Sequence, residues 1–274
     1  MHAISLHDRA AIRALLRRDP ELHAYGLGDL DDFFWPYTSW YTLREERERQ
    51  PVALIYSGGD LPVLLAIDEQ PAAALADLLR AMLPLLPRRV YAHLSADAAT
   101  GSASALMGVL GEVYRIESHG VYYKMALRDR SRLDAVDTAG VARMSPADLA
   151  EIEALYAASY PGHWFDPRML ETGQYYGLRR EPGEGRARLV CVAGVHVYSP
   201  AERVAAIGNV ATHPDVRGQG LARTVCARLA GSLLETVDHV GLNVRADNAS
   251  ALAAYANLGF ERIAVYEECM LELR

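Results

Sequence analysis

The chain has 274 residues, 51% of them hydrophobic and 23% charged, with a formal net charge of −7 at pH 7. That length exceeds one typical domain and suits two. The acidic balance speaks against a nucleic-acid or anionic-membrane partner, since either needs a basic face.

The three cysteines, Cys191, Cys226 and Cys269, lie in apolar patterns without metal-ligand spacing, so they read as reduced core thiols and no metal is expected. No basic stretch leads into an apolar amino-terminal segment, and no apolar run approaches bilayer length, which predicts a cytoplasmic protein. Lys124 is the only lysine beside abundant arginine and alanine, a balance that fits the coding bias of a GC-rich bacterial genome.

The spacing of Ala10, Ala11, Ala14 and Leu15 predicts an amphipathic first helix over His7 to Arg18, with Asp8 placed to start it. Tyr25 to Tyr41 is crowded with aromatic residues and reads as a packing cluster. Arg44 to Arg49 is a charge run of mixed sign, expected in a solvated turn. Val52 to Tyr56 and Leu61 to Ile67 are apolar runs around Ser57-Gly58-Gly59-Asp60, which predicts a hairpin. A helix over Pro71 to Leu83, a strand over Arg88 to Leu94, a helix over Ala103 to Leu110 and a strand over Gly120 to Leu127 follow.

Arg128 to Gly140 is polar and reads as a linker. Val141 to Met144 predicts a strand, and Ser145-Pro146 then opens a helix, serine as N-cap and proline in the first turn. Pro161 to Pro167 breaks that helix. Gln174 to Arg179 and Leu189 to Val197 read as strands, the second almost wholly apolar and so central. In the next strand, Val204 to Thr212, Gly208 and Asn209 interrupt the apolar pattern and predict a bulge or a close approach.

After that strand comes Val216-Arg217-Gly218-Gln219-Gly220-Leu221-Ala222, then a helical pattern reaching Leu234. Glycines at alternate positions remove the Cβ atoms that hold a polyphosphate away from the backbone, and amides at the first helical turn can bind an anion. Val240 to Val244 alternates like a half-buried strand, and Asn248 to Phe260 predicts a second helix with Asn248 at its cap.

Arg217-x-x-Gly220-x-Ala222 matches the Arg/Gln-x-x-Gly-x-Gly/Ala acyl-CoA motif of the GNAT superfamily of N-acetyltransferases, and Asn248 to Phe260 resembles that superfamily's second signature. The resemblance covers about Ala139 to Leu273. It implies an α/β (α+β) fold of two GNAT-like domains, each a mixed, mostly antiparallel sheet flanked by helices. Residues 136–274 would form the acetyltransferase domain. Residues 1–135 would be a degenerate copy, because their element order is similar but Asp68-Glu69 stand where the second half has its glycine turn.

The resemblance further implies acetyl-CoA as co-substrate and a primary amine of a small molecule as acceptor, with a homodimer compatible. Contacts to CoA would come from Val210 and Thr212 on the motif strand, from Arg217, Gly218, Gln219, Gly220, Leu221 and Ala222 in the turn, and from Asn248. A backbone N–H near Val210 would serve the oxyanion, and the Tyr255 hydroxyl would protonate the departing CoA. One departure stands out: Ala206 occupies the position where many relatives carry a glutamate base. His163, His196, Glu267 and Glu268 remain as candidates, each with a structural alternative. An amino-acid or thiol-cofactor N-acyltransferase and a non-catalytic acyl-CoA sensor stay open as other functions.

Overall fold

A computed structural model describes residues 1–45, 50–68, 73–160, 165–181 and 187–274. In chain order the elements are β1 (Ala3–Leu6), α1 (Arg9–Leu16), α2 (Ala24–Gly28), β2 (Thr38–Leu43), β3 (Ala53–Tyr56), β4 (Val63–Ala66), α3 (Ala73–Met82), β5 (Arg89–Ser95), α4 (Ser104–Leu110) and β6 (Tyr114–Leu127). They continue with α5 (Ser131–Asp134), β7 (Val141–Arg143), α6 (Leu149–Ser159), β8 (Tyr176–Arg180), β9 (Arg188–Ser199), β10 (Val204–Thr212), α7 (Leu221–Leu233), β11 (His239–Arg245), α8 (Ala249–Asn257) and β12 (Phe260–Leu273).

Local chemistry accounts for the helix starts. Asp8 accepts the Ala10 N–H and begins α1. Ahead of α6, Ser145 and Asp148 form a reciprocal capping box across a short 3₁₀ turn. Two strands escape the apolar pattern. β1 is only four residues long, and β2 lies inside the aromatic run, where Trp40 is 2% exposed while its neighbour Ser39 faces out. The polar stretch after β6 is not wholly a linker, since it holds α5.

The chain forms two compact units. The first comprises Met1–Lys124, Val244–Asn248 and Arg262–Arg274, and the second Met125–Asn243 and Ala249–Glu261. In the first unit the strand order is β1-β2-β3-β4-β5-β12-β6. Its neighbours from β1 to β4 run antiparallel, β4 and β5 are parallel, and β12 pairs antiparallel with β5. α3 and α4 cover this sheet through Leu75, Leu79, Leu106 and Leu110, packed on Leu64, Val90, Ala92 and Leu271. Such buried leucines contribute about 1.5–3 kcal/mol each relative to exposure.

In the second unit the order is β11-β10-β9-β8-β7, with β10 and β11 parallel and the other pairs antiparallel. α7 packs on β8, β9 and β10, and α6 on β9 and β10. Ile152, Leu155 and Tyr156 of α6 meet Tyr175, Leu189, Val192 and Ala211. In both units the strands pair in a mixed, mostly antiparallel way with flanking helices, as the resemblance implies. Among the described residues no helix is long and apolar enough to cross a membrane.

Candidate functional site

β10 is held on both sides for only half its length. Val204 to Ile207 are at most 2% exposed and pair in parallel with His239 to Leu242 of β11. Beyond Ile207 the pairing of β10 continues with β9 alone, at Gly208, Ala211 and Thr212, with register shifts around Ile207 and between Gly208 and Ala211. The bulge has identifiable causes. A Cβ on Gly208 would stand 2.5 Å from the His196 ring, so only glycine lets that imidazole lie across the strand. Asn209 takes up a left-handed φ of 52°. Its Nδ2 donates to the Tyr175 hydroxyl at 3.0 Å, while the Tyr156 hydroxyl donates to its carbonyl at 2.8 Å. These bonds fix a strand whose β11 side lies open at half-buried Val210 and Thr212.

From Thr212 the chain passes through a short 3₁₀ turn, Pro214–Val216, into the glycine turn. Gly218 and Gly220 have φ of +78° and +76°, and a Cβ at either position would meet nothing within 4 Å. Gly220 is the residue that starts α7, whose first turn carries no acidic side chain. Leu221, 5% exposed, anchors the helix in the core, with Ala222 half-buried beside it. The result is a run of exposed backbone at the positive end of a helix of 13 residues.

Arg217 does something the sequence did not indicate. Its Nε donates to the Thr212 carbonyl at 3.2 Å and its Nη2 to the Ser159 carbonyl at 3.0 Å, so the guanidinium braces the turn against β10 and the end of α6. A second positive charge reaches the turn from Arg180, which donates to the Gln219 side-chain carbonyl. No spacing rule points to Arg180, because it arrives from a different strand.

Tyr255 lies on α8, 9% exposed, with its ring edge-on to Phe260 at 6.0 Å between centroids. Asn248 directly precedes α8 and counts with the first unit. A residue missed by sequence reasoning is Asn243, the first on β11 after the last β10 partner, Leu242. Its side-chain Oδ1 is buried with no hydrogen-bond partner among the described residues. Such an atom costs about 1–3 kcal/mol unless something satisfies it. It was hidden in an alternating strand pattern.

Of the candidate bases, His163 lies outside the described residues. Ala206 is fully buried and carries no proton. Glu267 accepts the Ala103 N–H at 3.2 Å and the Ser118 hydroxyl at 2.6 Å, and Glu268 accepts the Tyr91 and Tyr266 hydroxyls at 2.5 and 3.0 Å. Both carboxylates are thus engaged inside the first unit. His196 remains in the second unit, lying across Gly208. The three cysteines are buried, and burial pushes the Cys191 thiol up to about 11 and the Cys269 thiol up to about 12, so neither is a thiolate near neutral pH.

Residues 198–270 match the FR47-like protein family. A mycothiol acetyltransferase from Tsukamurella paurometabola is 35% identical over 104 residues, a stretch that spans 35% of this chain and only 33% of that protein. An acetyltransferase of the GNAT family from Novosphingobium aromaticivorans has the same fold at 22% identity, with a TM-score of 0.55 over 81% of this chain and 88% of that one. A tandem GNAT protein from the clavulanic acid biosynthesis pathway aligns over 98% of this chain and 97% of its own, at 15% identity and a TM-score of 0.56. The chain thus shares the fold of GNAT acetyltransferases along its length, and the family match falls on the half that holds the glycine turn.

Proposed function

We propose that the chain transfers an acetyl group from acetyl-CoA to a primary amine of a small molecule, with residues 136–274 as the catalytic domain and residues 1–135 as a degenerate copy. The observation that carries this reading is the glycine turn: left-handed Gly218 and Gly220, open where a Cβ would stand, at the start of α7. A Cβ would fill the space that a diphosphate needs, so the residues present fit the group. Acetyl-CoA supplies an activated acyl thioester. The amides of Gly218 to Ala222 hold its diphosphate, Arg180 adds charge through Gln219, and Arg217 keeps the turn in place.

The open side of β10 at Val210 and Thr212 lies against the pantetheine arm in this reading, with a backbone N–H near Val210 donating to the oxyanion. The Tyr255 hydroxyl delivers the proton that the departing thiolate needs. Asn248 adds a contact on the strength of the motif alone. Asn243 Oδ1 accepts a hydrogen bond from the acceptor amine, which would relieve its unsatisfied burial. Positioning of this kind accounts for most of the acceleration when the acceptor loses its proton to water or to His196 rather than to a carboxylate on β10.

The relative named mycothiol acetyltransferase favours a second reading of the same site, in which the acceptor belongs to a low-molecular-weight thiol compound. The test is release of free CoA from acetyl-CoA over a panel of amines that includes amino sugars, amino acids and amine-bearing thiols. Turnover with a simple amine supports the first reading and turnover confined to the thiol compounds the second. Tight CoA binding without turnover on any amine would replace both with a sensor.

A further inference from the structure

The first unit contains a cavity of about 30 Å³ that the proposed acyl transfer does not use, with His23, Tyr25, Trp40, His93 and Lys124 in its lining. One water needs about 10–15 Å³ on this scale, so there is room for a group of about three heavy atoms. The rest of the wall is aliphatic, from Leu16, Leu22, Val52, Leu54, Leu65 and Ile67.

The chain's single lysine is placed here. Lys124 is 6% exposed, and its Nζ lies 4.7 Å from the centre of the Tyr25 ring and 5.8 Å from that of Tyr266. Among the described residues no carboxylate comes within ion-pair distance of it. The acids that act on it through space are Asp19 and Glu268. Asp19 caps the Leu22 N–H at 3.0 Å. Glu268 is taken by the Tyr91 and Tyr266 hydroxyls, with His93 Nε2 at 3.6 Å. A buried ammonium facing only rings and aliphatic carbon costs several kcal/mol, and an apolar residue of similar length would avoid that cost. Its presence beside an open volume calls for an anion.

We propose that this cavity binds a monocarboxylate of the size of formate or acetate, its carboxylate on the Lys124 ammonium and the His23 imidazole and its hydrogen or methyl group against the aliphatic wall. Charge selects the class. Burial lowers Lys124 to about 8 and His23 to about 4, so at neutral pH the site offers one positive charge and a neutral N–H donor. That matches a monoanion, whereas a phosphate dianion would enter with a charge left over and more bulk than the volume takes. The site rests on the first unit alone and stands whether or not the acyl-transfer reading is correct.

Because Lys124 is the only lysine, protein made with ¹³C-labelled lysine gives one Cε resonance. Titration with sodium formate and sodium acetate at pH 7, against sodium chloride and sodium phosphate of equal ionic strength, should move that resonance saturably for the carboxylates only. The melting temperature should rise in parallel. Lys124→Met keeps the length of the side chain beside Tyr25 and should abolish the carboxylate response. A Cε signal unmoved by every carboxylate overturns the proposal. So does a signal moved equally by chloride, or a Lys124→Met protein that keeps the carboxylate-dependent rise. Should Lys124→Met fail to fold, the labelled parent decides alone.

Discussion

Substituting Gly220 separates strain from occlusion. At φ +76°, with nothing within 4 Å of the Cβ position, alanine meets no clash. What remains is the left-handed backbone, about 1–2 kcal/mol for a non-glycine residue, offset by about 0.4–1 kcal/mol from the lower entropy of the unfolded chain. The net loss of about 1 kcal/mol should lower the melting temperature by about 2–4 °C for a chain of this size. Asparagine tolerates the left-handed region and should lose less still. CoA binding should respond in a different order. If the turn holds the diphosphate, any side chain here occupies ligand space, so Gly220→Asn should weaken CoA about 10-fold or more despite its mild effect on stability. Gly220→Asp adds a like charge and should weaken CoA by at least about 100-fold, roughly 2.7 kcal/mol. Calorimetric titration of CoA beside thermal unfolding of each variant reads both quantities. A Gly220→Asp protein that binds CoA as the parent does would refute the cradle, and losses of affinity that merely follow the melting temperature would assign the glycine to folding.

Four further outcomes are expected. Tyr255→Phe keeps the ring packed on Phe260 and should lower kcat by about 10²–10⁴, with CoA affinity and melting temperature nearly unchanged; an unaltered kcat removes the hydroxyl from the mechanism. Asn243→Leu deletes a buried, unpartnered oxygen, so it should leave stability equal or higher while raising KM for the amine, and an unchanged KM would place the acceptor elsewhere. CoA should titrate to one site per chain, and two equal sites would give the first unit a cradle that its Asp68 junction argues against. Burial raises the Asp29 carboxyl from its ordinary 3.8 to about 8, so the folded state holds a proton that the unfolded state has lost, and stability falls as pH rises across that window. Asp29→Asn should therefore match the parent near pH 4 and exceed it by on the order of 3 kcal/mol at pH 7, a gap that urea unfolding at the two pH values would expose or deny.

The glycine turn, the helices on either side of β11 and the bulge in β10 were legible because each has a local cause. Positive φ selects glycine at 218 and 220, helical spacing marks α7, and Gly208-Asn209 breaks an apolar strand. What could not be read depends on partners distant in sequence. Gly208 is needed because His196 lies across it, Arg180 reaches Gln219 from β8, and Arg217 binds carbonyls from two other elements. β2 was hidden because tryptophan and tyrosine serve strands and packing clusters alike, and the first half of β6 because Arg115 to His119 show no regular burial. Nor does the sequence of β12 reveal that Arg262 onward completes the first unit rather than the second.

The two units place different groups beside a similar parallel strand pair. In the first unit β4 and β5 pair in parallel over four residues, Val63–Ala66, as β10 and β11 do over Val204–Ile207 in the second. After β10 the chain turns on Gly218 and Gly220 and leaves backbone amides bare. After β4, Asp68 donates its N–H to the Ser95 hydroxyl and takes the hydroxyl proton back on its carbonyl, at 2.8 and 3.0 Å, which ties this junction to the end of β5. An acid whose backbone is already bonded to Ser95 is a poor host for a diphosphate. Buried polar groups of the first unit gather in the Glu268 network of tyrosines and His93 and at the ammonium of Lys124. A junction without a cradle gives no reason for a buried cation in the first unit. A ligand of its own in the first unit would explain that cation.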